Sequence, residues 1–203
     1  MRLLRVGVDS LLAEVADTAA ATRLYDEALS RRVAAADVVP AARTVLFSGV
    51  ADVDRLEAEL AGWDLEASAG PAPGSGPLVE VPTVYDGPDL DDVARHWDLS
   101  TREVVDLHTS TEMVVAFCGF APGFAYCTGH GLPSAVPRLP EPRTRVPAGA
   151  VGLADTFTGV YPAPSPGGWR LIGHTDLPLW DETRPQPATL APGTRVRFVE
   201  VRR

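Results

Sequence analysis

Apolar residues recur along the first 63 residues with the spacings of short strands and amphipathic helices. Alternating apolar positions predict a strand over 3–8, and residues 38–47 predict another strand with a proline near its start. Asp17 or Thr18 is suited to cap a helix between these strands. The residues expected on the buried face of that helix are Ala20, Leu24, Ala28 and Leu29.

A second amphipathic helix is predicted after Asp52, because Val53, Leu56 and Leu60 follow one another at spacings of three and four. Strands that alternate with such helices favour helices packed on one face of a small sheet. We therefore expect residues 1–66 to form a small α/β domain. The next segment, 67–77, is rich in Ala, Gly, Pro and Ser, which is the composition of a linker.

Residues 78–203 are expected to form a β-rich domain. A strand over 78–85 is followed by two short helices, and the second helix begins with the S-x-x-E capping-box pattern of Ser100 and Glu103. Residues 112–120 predict a buried strand. Further short apolar segments, separated by Gly and Pro, favour a barrel or a sandwich. The predicted fold class is α+β.

The composition of the chain restricts its possible chemistry more than it restricts the fold. All 18 basic residues are arginine, so the chain contains no phosphate-loop lysine, Schiff-base lysine or biotinyl-lysine. The net charge of −9 argues against a general binder of nucleic acid or of anionic membranes. Residues 118–178 hold 10 glycines and 10 prolines and lack the general acidity, so we expect the chemistry there.

Several classes of site find no support in the sequence. Cys118 and Cys127 are too few for a zinc site and are expected to stay reduced, and the four histidines lack metal-ligand spacing. No nucleophile elbow G-x-S-x-G occurs. No apolar run approaches the roughly 18 residues of a membrane span. The expectations are a cytoplasmic protein, no metal site, and no membrane or nucleic-acid partner.

The segment GFAPGFAY, residues 119–126, places three aromatic residues around a Pro-Gly turn. Such aromatics can wall a small-molecule pocket, or they can plug one end of a barrel. The sequence leaves both interpretations open. The candidate binding residues are Phe120, Pro122, Gly123 and Tyr126.

The proline-rich segment 137–149 holds Arg138, Arg143 and Arg145 apart. Pre-organised guanidiniums can bind a carboxylate or phosphate with two hydrogen bonds, and the alternative is a solvated loop. Arg138 and Arg143 are the candidates for anion binding.

The segment YPAPSPGGW, residues 161–169, contains a Gly-Gly pair that can bring backbone N–H groups close to a ligand, or can form a β-turn before a strand. In 173–175, His174 and Thr175 can reach a pocket rim, although a lone histidine is more often structural. The candidates from these two segments are Ser165, Gly167, Gly168, Trp169 and Thr175.

In this order and spacing, GFAPGFAY, PRLPEPRTRVPAG and TGVYPAPSPGGWRLIGHT resemble the family of the B subunit of bacterial 5-oxoprolinase, also described as the KipI or allophanate hydrolase subunit 1 family. The resemblance covers the chain from about residue 78 to its end, and 89–110 and 191–201 fit as well. The N-terminal third fits loosely, through 9–15 and 38–47.

The resemblance implies a cyclophilin-like β-barrel after the small α/β domain. It also implies joint work with two 5-oxoprolinase partners, namely a homologous barrel protein, the C subunit, and a separate protein, the A subunit. Together they would cleave 5-oxo-L-proline to glutamate using ATP. The chain would be a non-autonomous subunit, with ATP bound with or by its partners. A relative of the same domain pair forms the carboxyltransferase part of urea carboxylase. Catalytic residues are not assigned.

Three positions depart from the family pattern. Phe157 stands where the family usually has glutamine, His174 where arginine is common, and Ala125 where proline is common. Loss of the glutamine amide leaves the substrate open. The alternative function is a KipI-like inhibitor of a sensor histidine kinase, which gene neighbourhood or co-purification with the C subunit would distinguish. A prolyl isomerase follows only from fold analogy.

Overall fold

The computed structural model of the chain describes residues 1–65 and 76–202. Backbone proximity divides the chain into two units, Met1–Pro73 and Gly74–Arg203. Most of the predicted linker, 67–75, lies outside the described residues, so the division into 1–66, 67–77 and 78–203 stays a prediction.

The N-terminal unit is a four-stranded antiparallel sheet in the order β1-β2-β4-β3, with both helices against it. Leu11 and Phe47 from the sheet meet Leu24 and Leu60 from the helices in one buried core. The elements are β1 Arg2–Val6, β2 Ser10–Glu14, α1 Thr18–Ser30, β3 Asp37–Pro40, β4 Thr44–Ser48 and α2 Val53–Ala61.

Both helices of this unit begin at the aspartates that the sequence suggested. The Asp17 side chain accepts a hydrogen bond from the backbone N–H of Ala20 at 2.8 Å, and Asp52 accepts one from Arg55 at 2.9 Å. Each carboxylate thus satisfies one otherwise unpaired N–H of the first turn. Of the two predicted caps for α1, Asp17 is the correct one.

Three details of the predicted N-terminal unit are wrong. The first strand ends at Val6, because Gly7 takes a left-handed φ of 65° and turns the chain, leaving Val8 97% exposed. Residues 38–47 form two strands, since Ala41 N–H donates to Thr44 O at 2.8 Å and closes a hairpin. Leu29 is 50% exposed because it lies five residues after Leu24, about 140° around the helix.

The C-terminal unit begins with a strand and two helices and continues almost entirely as strands. The predicted helices and the capping box of Ser100 and Glu103 are confirmed. The elements are β5 Leu78–Thr83, α3 Leu90–Trp97, α4 Thr101–Ser110, β6 Met113–Cys118, β7 Ala125–Gly129, β8 Arg143–Val146, β9 Ala150–Ala154, β10 Phe157–Val160, β11 Ser165–Gly167, β12 Arg170–His174 and β13 Arg195–Glu200.

Seven of these strands form one curved sheet in the order β12-β9-β10-β7-β6-β13-β5. Its two edges meet where Val84, just beyond β5, exchanges both backbone hydrogen bonds with His174 at 2.9 Å. The sheet is therefore a nearly closed barrel, and this closure removes unpaired strand edges. This confirms the predicted α+β fold class with a cyclophilin-like barrel.

The barrel strands bury side chains on both faces. On β12, Ile172 packs into the barrel core whereas its neighbour Leu171 packs into a second cluster. On β9, Val151 and Leu153 belong to the core, and Ala150 and Ala154 to the second cluster. Because strand side chains alternate between faces, the second cluster lies on the outside of the barrel. There the separate two-stranded sheet of β8 and β11 contributes Val146.

A buried carboxylate ties this outer layer to the barrel. Asp89, which is 4% exposed, accepts hydrogen bonds from Arg143 at 2.8 and 2.9 Å and from the backbone N–H of Leu171 at 2.7 Å. Asp89 precedes α3 but makes no side-chain cap there. One side chain thereby joins the start of α3 to β8 and β12.

His108 of α4 is the other buried polar anchor. Its Nδ1 lies 2.7 Å from the Tyr85 hydroxyl, its Nε2 lies 3.3 Å from Thr158 Oγ1, and its ring packs on Phe198. Burial lowers the pKa of His108 from 6.5 to about 3, so the ring stays neutral at neutral pH. The neutral ring provides a hydrogen-bond partner for the Tyr85 hydroxyl and for the Thr158 hydroxyl inside the barrel.

Replacement of Asp89 by Asn should destabilise the chain by about 2–4 kcal/mol, because it leaves the half-buried Arg143 guanidinium without its charge partner. Urea unfolding measures this loss. Asp91→Asn is the matched control, since Asp91 is exposed on the first turn of the same helix. It should change stability by less than about 0.5 kcal/mol. Equal effects of the two substitutions would contradict a structural role for Asp89.

Burial of neutral His108 makes stability fall as the pH decreases. The unfolded chain takes up a proton here below about 6.5, whereas the folded chain does so only near pH 3. Between these values acid favours unfolding. When the pH falls from about 7 to about 5.5, the free energy of unfolding of the wild type should decrease by about 1 kcal/mol more than that of His108→Gln. Urea unfolding at each pH measures this difference. Parallel pH dependences of the two proteins would refute this assignment.

Candidate functional site

The aromatic segment 119–126 forms a tight turn at one edge of the outer layer. Gly119 N–H donates to Phe124 O at 3.2 Å, and Phe124 N–H donates to Ala121 O at 3.0 Å. Gly123 has a φ of 82°, and a Cβ there would lie 3.0 Å from Leu179 O. Glycine is therefore needed at this position for packing of the turn, and its exposed neighbour Pro122 lies at the surface.

Phe120 is presented to solvent at the apex of this turn. Its side chain is 61% exposed, and its φ of 70° is unusual for a bulky residue. Its ring stands edge-on to the buried rings of Phe124 and Tyr161, at centroid distances of 5.3 and 6.3 Å. A strained backbone that exposes a large aromatic side chain is a feature of binding sites.

Tyr126 and Phe157 continue the aromatic surface. Tyr126 stacks on Phe117 at 4.3 Å, and Phe157 stands edge-on to both rings at 5.6 and 5.5 Å. Tyr126 and Phe157 are each only partly buried. Burial raises the pKa of Tyr126, and the positive charge of Arg138 opposes that shift. The surface can therefore offer ring faces and edges together with one phenol hydroxyl.

The predicted arginine loop does not act as one unit. Arg138 is exposed and lies over the Trp169 ring, with its guanidinium carbon 6.0 Å from the ring centroid. Arg143 instead turns inward to Asp89, with a further contact to Trp169 O at 3.4 Å. Arg145 is exposed. Of the two candidate anion-binding arginines, Arg138 is therefore the one that faces solvent.

The Gly-Gly segment packs against protein atoms. Ser165–Gly167 forms β11, which pairs with β8, and Gly168 and Trp169 connect it to β12. A Cβ at Gly167 would lie 2.3 Å from the Tyr161 hydroxyl, and one at Gly168 would lie 3.7 Å from Leu139 O. The Ser165 Oγ is buried without a hydrogen-bond partner among the described residues.

Trp169 and Tyr161 lie buried beneath Arg138 and the Gly-Gly segment, and we call these two side chains the floor of the candidate site. Trp169 is 4% exposed, and its backbone N–H donates to the Tyr161 hydroxyl. Burial raises the pKa of Tyr161, and the positive charges of Arg138 and Arg143 partly offset that shift. Leu139 N–H donates to Gly168 O at 2.7 Å and holds the arginine loop to this floor.

Thr175 and His174 lie elsewhere on the barrel. Both line a cavity of about 340 Å³, and none of the other residues that line it is a predicted site residue. The Thr175 hydroxyl accepts a hydrogen bond from Leu177 N–H at 3.2 Å, while His174 Nδ1 lies 2.8 Å from Asp86. The structure thus groups Phe120, Tyr126, Arg138 and Trp169 and leaves Thr175 apart.

Sequence reasoning missed two residues on which this arrangement depends. Asp89 has the sequence position of an ordinary helix cap, and nothing in its neighbourhood shows that its partner is Arg143. Tyr161 lies within the segment 161–169 but is not among the candidates from it. Its position six residues before Gly167 is the one available signal, because a glycine without a side chain leaves room for a bulky ring close to the backbone.

Within 1–65 and 76–202, no cluster of three or more His, Cys, Asp or Glu residues is suited to hold a metal ion. The helices of this described part are all too short or too polar to cross a membrane.

The chain resembles curated proteins over about 60% of its length. It is 52% identical over 125 residues to the B subunit of 5-oxoprolinase from Escherichia coli O157:H7, which is 60% of this chain and 57% of that protein. It is 46% identical over 127 residues to the B subunit of 5-oxoprolinase from Bacillus subtilis strain 168, which is 61% of this chain and 53% of that protein. The match spans little more than half the length of these relatives.

Among solved structures, the crystal structure of TTHA0988 in space group P6522 has the same fold over almost the whole chain. The TM-score is 0.77 at 33% sequence identity, and the match covers 97% of this chain and 40% of TTHA0988.

A family model described as carboxyltransferase domain, subdomain C and D, matches residues 1–190. Together with the 5-oxoprolinase relatives, this match confirms the family that the three glycine- and proline-rich segments indicated. The chain belongs to the carboxyltransferase domain, subdomain C and D, family.

Proposed function

We propose that the chain is part of an ATP-dependent 5-oxoprolinase, which opens 5-oxo-L-proline to L-glutamate with the help of a homologous C subunit and a separate A subunit. The observation that carries this proposal is the identity of 52% and 46% to two proteins named as B subunits of 5-oxoprolinase. The proposed location is the cytoplasm.

The chemistry requires a shared site. A five-membered lactam is a stabilised amide, so its carbonyl needs activation before water can add. ATP would supply a phosphoryl group, and the chain has no phosphate-loop lysine to hold that nucleotide. We therefore assign nucleotide binding to the partners, or to a site shared with them. No metal is assigned to this chain.

The exposed part of the aromatic layer is the surface that we assign to substrate or partner. Phe120, Pro122 and Tyr126 supply apolar and aromatic area, and Arg138 supplies a solvent-facing guanidinium beside them. A phosphorylated lactam carries negative charge, which a guanidinium stabilises when water is excluded. Closure of this open surface by the C subunit would provide that exclusion.

The remaining candidates have supporting roles in this proposal. Arg143 and Trp169 position the loop and the floor, and Gly123 and Gly167 allow close packing of the turn and of the β8–β11 sheet. A side chain at Gly168 would make only ordinary contact with Leu139, at 3.7 Å. Ser165 lies in β11 with a buried hydroxyl. Thr175 lines the separate cavity. Phe157 borders Tyr126 with a ring and offers no amide to a substrate, so related cyclic amides belong in the substrate screen.

Reconstitution tests the proposal. The chain alone should hydrolyse neither ATP nor 5-oxo-L-proline. Co-expressed with a C subunit and an A subunit of 5-oxoprolinase, it should co-purify with the C subunit and release glutamate only when ATP is present. The assay measures glutamate and ADP together. A complete complex that turns over no lactam, or a chain that inhibits a sensor histidine kinase without these partners, would contradict the enzyme assignment.

Phe120→Gly separates the function of the exposed ring from its contribution to folding. Glycine accepts the left-handed φ of 70°, so the free chain should gain about 1 kcal/mol of stability. The variant should nevertheless bind the C subunit or substrate at least about tenfold more weakly, which is about 1.4 kcal/mol. Urea unfolding and a titration with the C subunit measure the two effects.

Val8→Gly is a suitable control for removal of an exposed apolar side chain, because Val8 is 97% exposed and lies outside the C-terminal unit. It should leave turnover of the complex unchanged. Wild-type binding and turnover by Phe120→Gly would show that the ring has no part in the site.

A further inference from the structure

A second cavity, of about 290 Å³, lies between α3, the start of β12 and the segment that leads into the arginine loop. It has no residue in common with the candidate site, and it combines charges of both signs with a small apolar surface. Its lining residues are Asp92, Val93, Arg95, His96, Val136, Pro137 and Arg170.

The wall formed by residues 134–137 is held in place from three sides. His96 Nε2 donates to Ala135 O at 2.8 Å, and Trp97 Nε1 donates to Ser134 O at 3.0 Å. Val136 exchanges backbone hydrogen bonds with Asp155 at 2.8 and 2.7 Å. A cavity with a fixed wall loses little conformational entropy when a ligand enters.

The charged groups of the cavity form a network of ion pairs in which some hydrogen-bond donors remain available. Arg170, with a side chain only 19% exposed, donates from Nη1 to Asp92 at 2.7 Å and from Nε to Pro137 O at 3.3 Å. Arg95 pairs with the same carboxylate from the more exposed side. A guanidinium carries five N–H groups, so both arginines keep donors for a further anion.

The cavity is lined by two guanidiniums and one carboxylate, so its net charge is +1 when His96 is neutral. A simple anion would meet the arginines but would also approach the Asp92 carboxylate. A ligand that carries an ammonium group as well as carboxylates satisfies both signs, because Asp92 can accept from the ammonium while the arginines hold the carboxylates.

We propose that this cavity binds an acidic α-amino acid, with its carboxylates on Arg170 and Arg95 and its ammonium group on Asp92. The net charge of −1 on such a ligand complements the cavity. Ligand binding here does not depend on the proposed function. If that function holds, however, the ligand has the chemistry of the product of lactam opening, and the cavity is a product site close in sequence to Arg138 and Trp169.

Calorimetric titration of the full chain tests the proposal with three probes, namely L-glutamate, glutarate and 5-oxo-L-proline. Glutarate has both carboxylates but no ammonium group, and 5-oxo-L-proline has one carboxylate and no ammonium group. L-Glutamate should bind at least about tenfold more tightly than either probe. Absence of saturable L-glutamate binding, or equal affinity for glutarate, would overturn the proposal.

Two variants assign the contacts. Asp92→Asn should abolish the preference for L-glutamate over glutarate, and it should raise the affinity for glutarate because a negative charge is lost. Arg170→Gln should weaken L-glutamate binding at least about tenfold. Arg145→Gln is the matched control, since Arg145 is an exposed arginine that does not line the cavity. It should leave all affinities unchanged.

Circular dichroism and thermal unfolding report whether each variant is folded, and Arg170→Lys replaces Arg170→Gln if the latter is not. A preserved L-glutamate preference in folded Asp92→Asn would refute the assigned ammonium contact. These measurements use the chain without partners, so they stand even if the reconstituted complex proves inactive. Conversely, an active complex whose isolated chain ignores L-glutamate would refute this inference and leave the proposed function intact.

Discussion

The outer layer of the C-terminal unit depends on the Asp89 carboxylate, which is buried between three elements. It accepts two hydrogen bonds from Arg143 of β8 and one from the backbone of β12. A buried charge is costly unless it is paired and fully hydrogen-bonded, so these partners must keep their places together. The position of the β8–β11 sheet, and with it the floor beneath Arg138, follows from that constraint.

Because the sheet buries side chains on both of its faces, a small unit can carry a candidate site on the outside of its barrel. The barrel interior is filled with side chains such as Phe198 and Ile172 and contains the neutral ring of His108. The other face buries Phe124, Tyr161 and Trp169 beneath the β8–β11 sheet and leaves Phe120 at the surface. The chain therefore presents a rigid aromatic surface, which is suited to a site that a second protein completes.

The exclusive use of arginine gives the charged contacts their geometry. Arg143 donates from Nη2 to both oxygens of Asp89, whereas Arg195 donates from Nε and Nη2 to the two oxygens of Glu112, at 2.8 and 2.9 Å, as a planar fork. A lysine ammonium cannot reproduce that planar fork. The same property leaves donors unused on Arg170, which is why the second cavity is suited to a ligand with carboxylates.

The sequence by itself determined the elements, the fold class and the family, because these depend on local patterns. Periodicity located the helices, Ser100 and Glu103 form the predicted capping box, and three glycine- and proline-rich segments identified the family. Local patterns failed where a turn interrupts an apolar run, as after Val6. Only the tertiary structure decided the partners of the arginines. Arg143 and Asp89 lie 54 positions apart, and Arg170 and Asp92 lie 78 apart. No local spacing links such residues, since it is the packing of strands and helices around the barrel that brings them together.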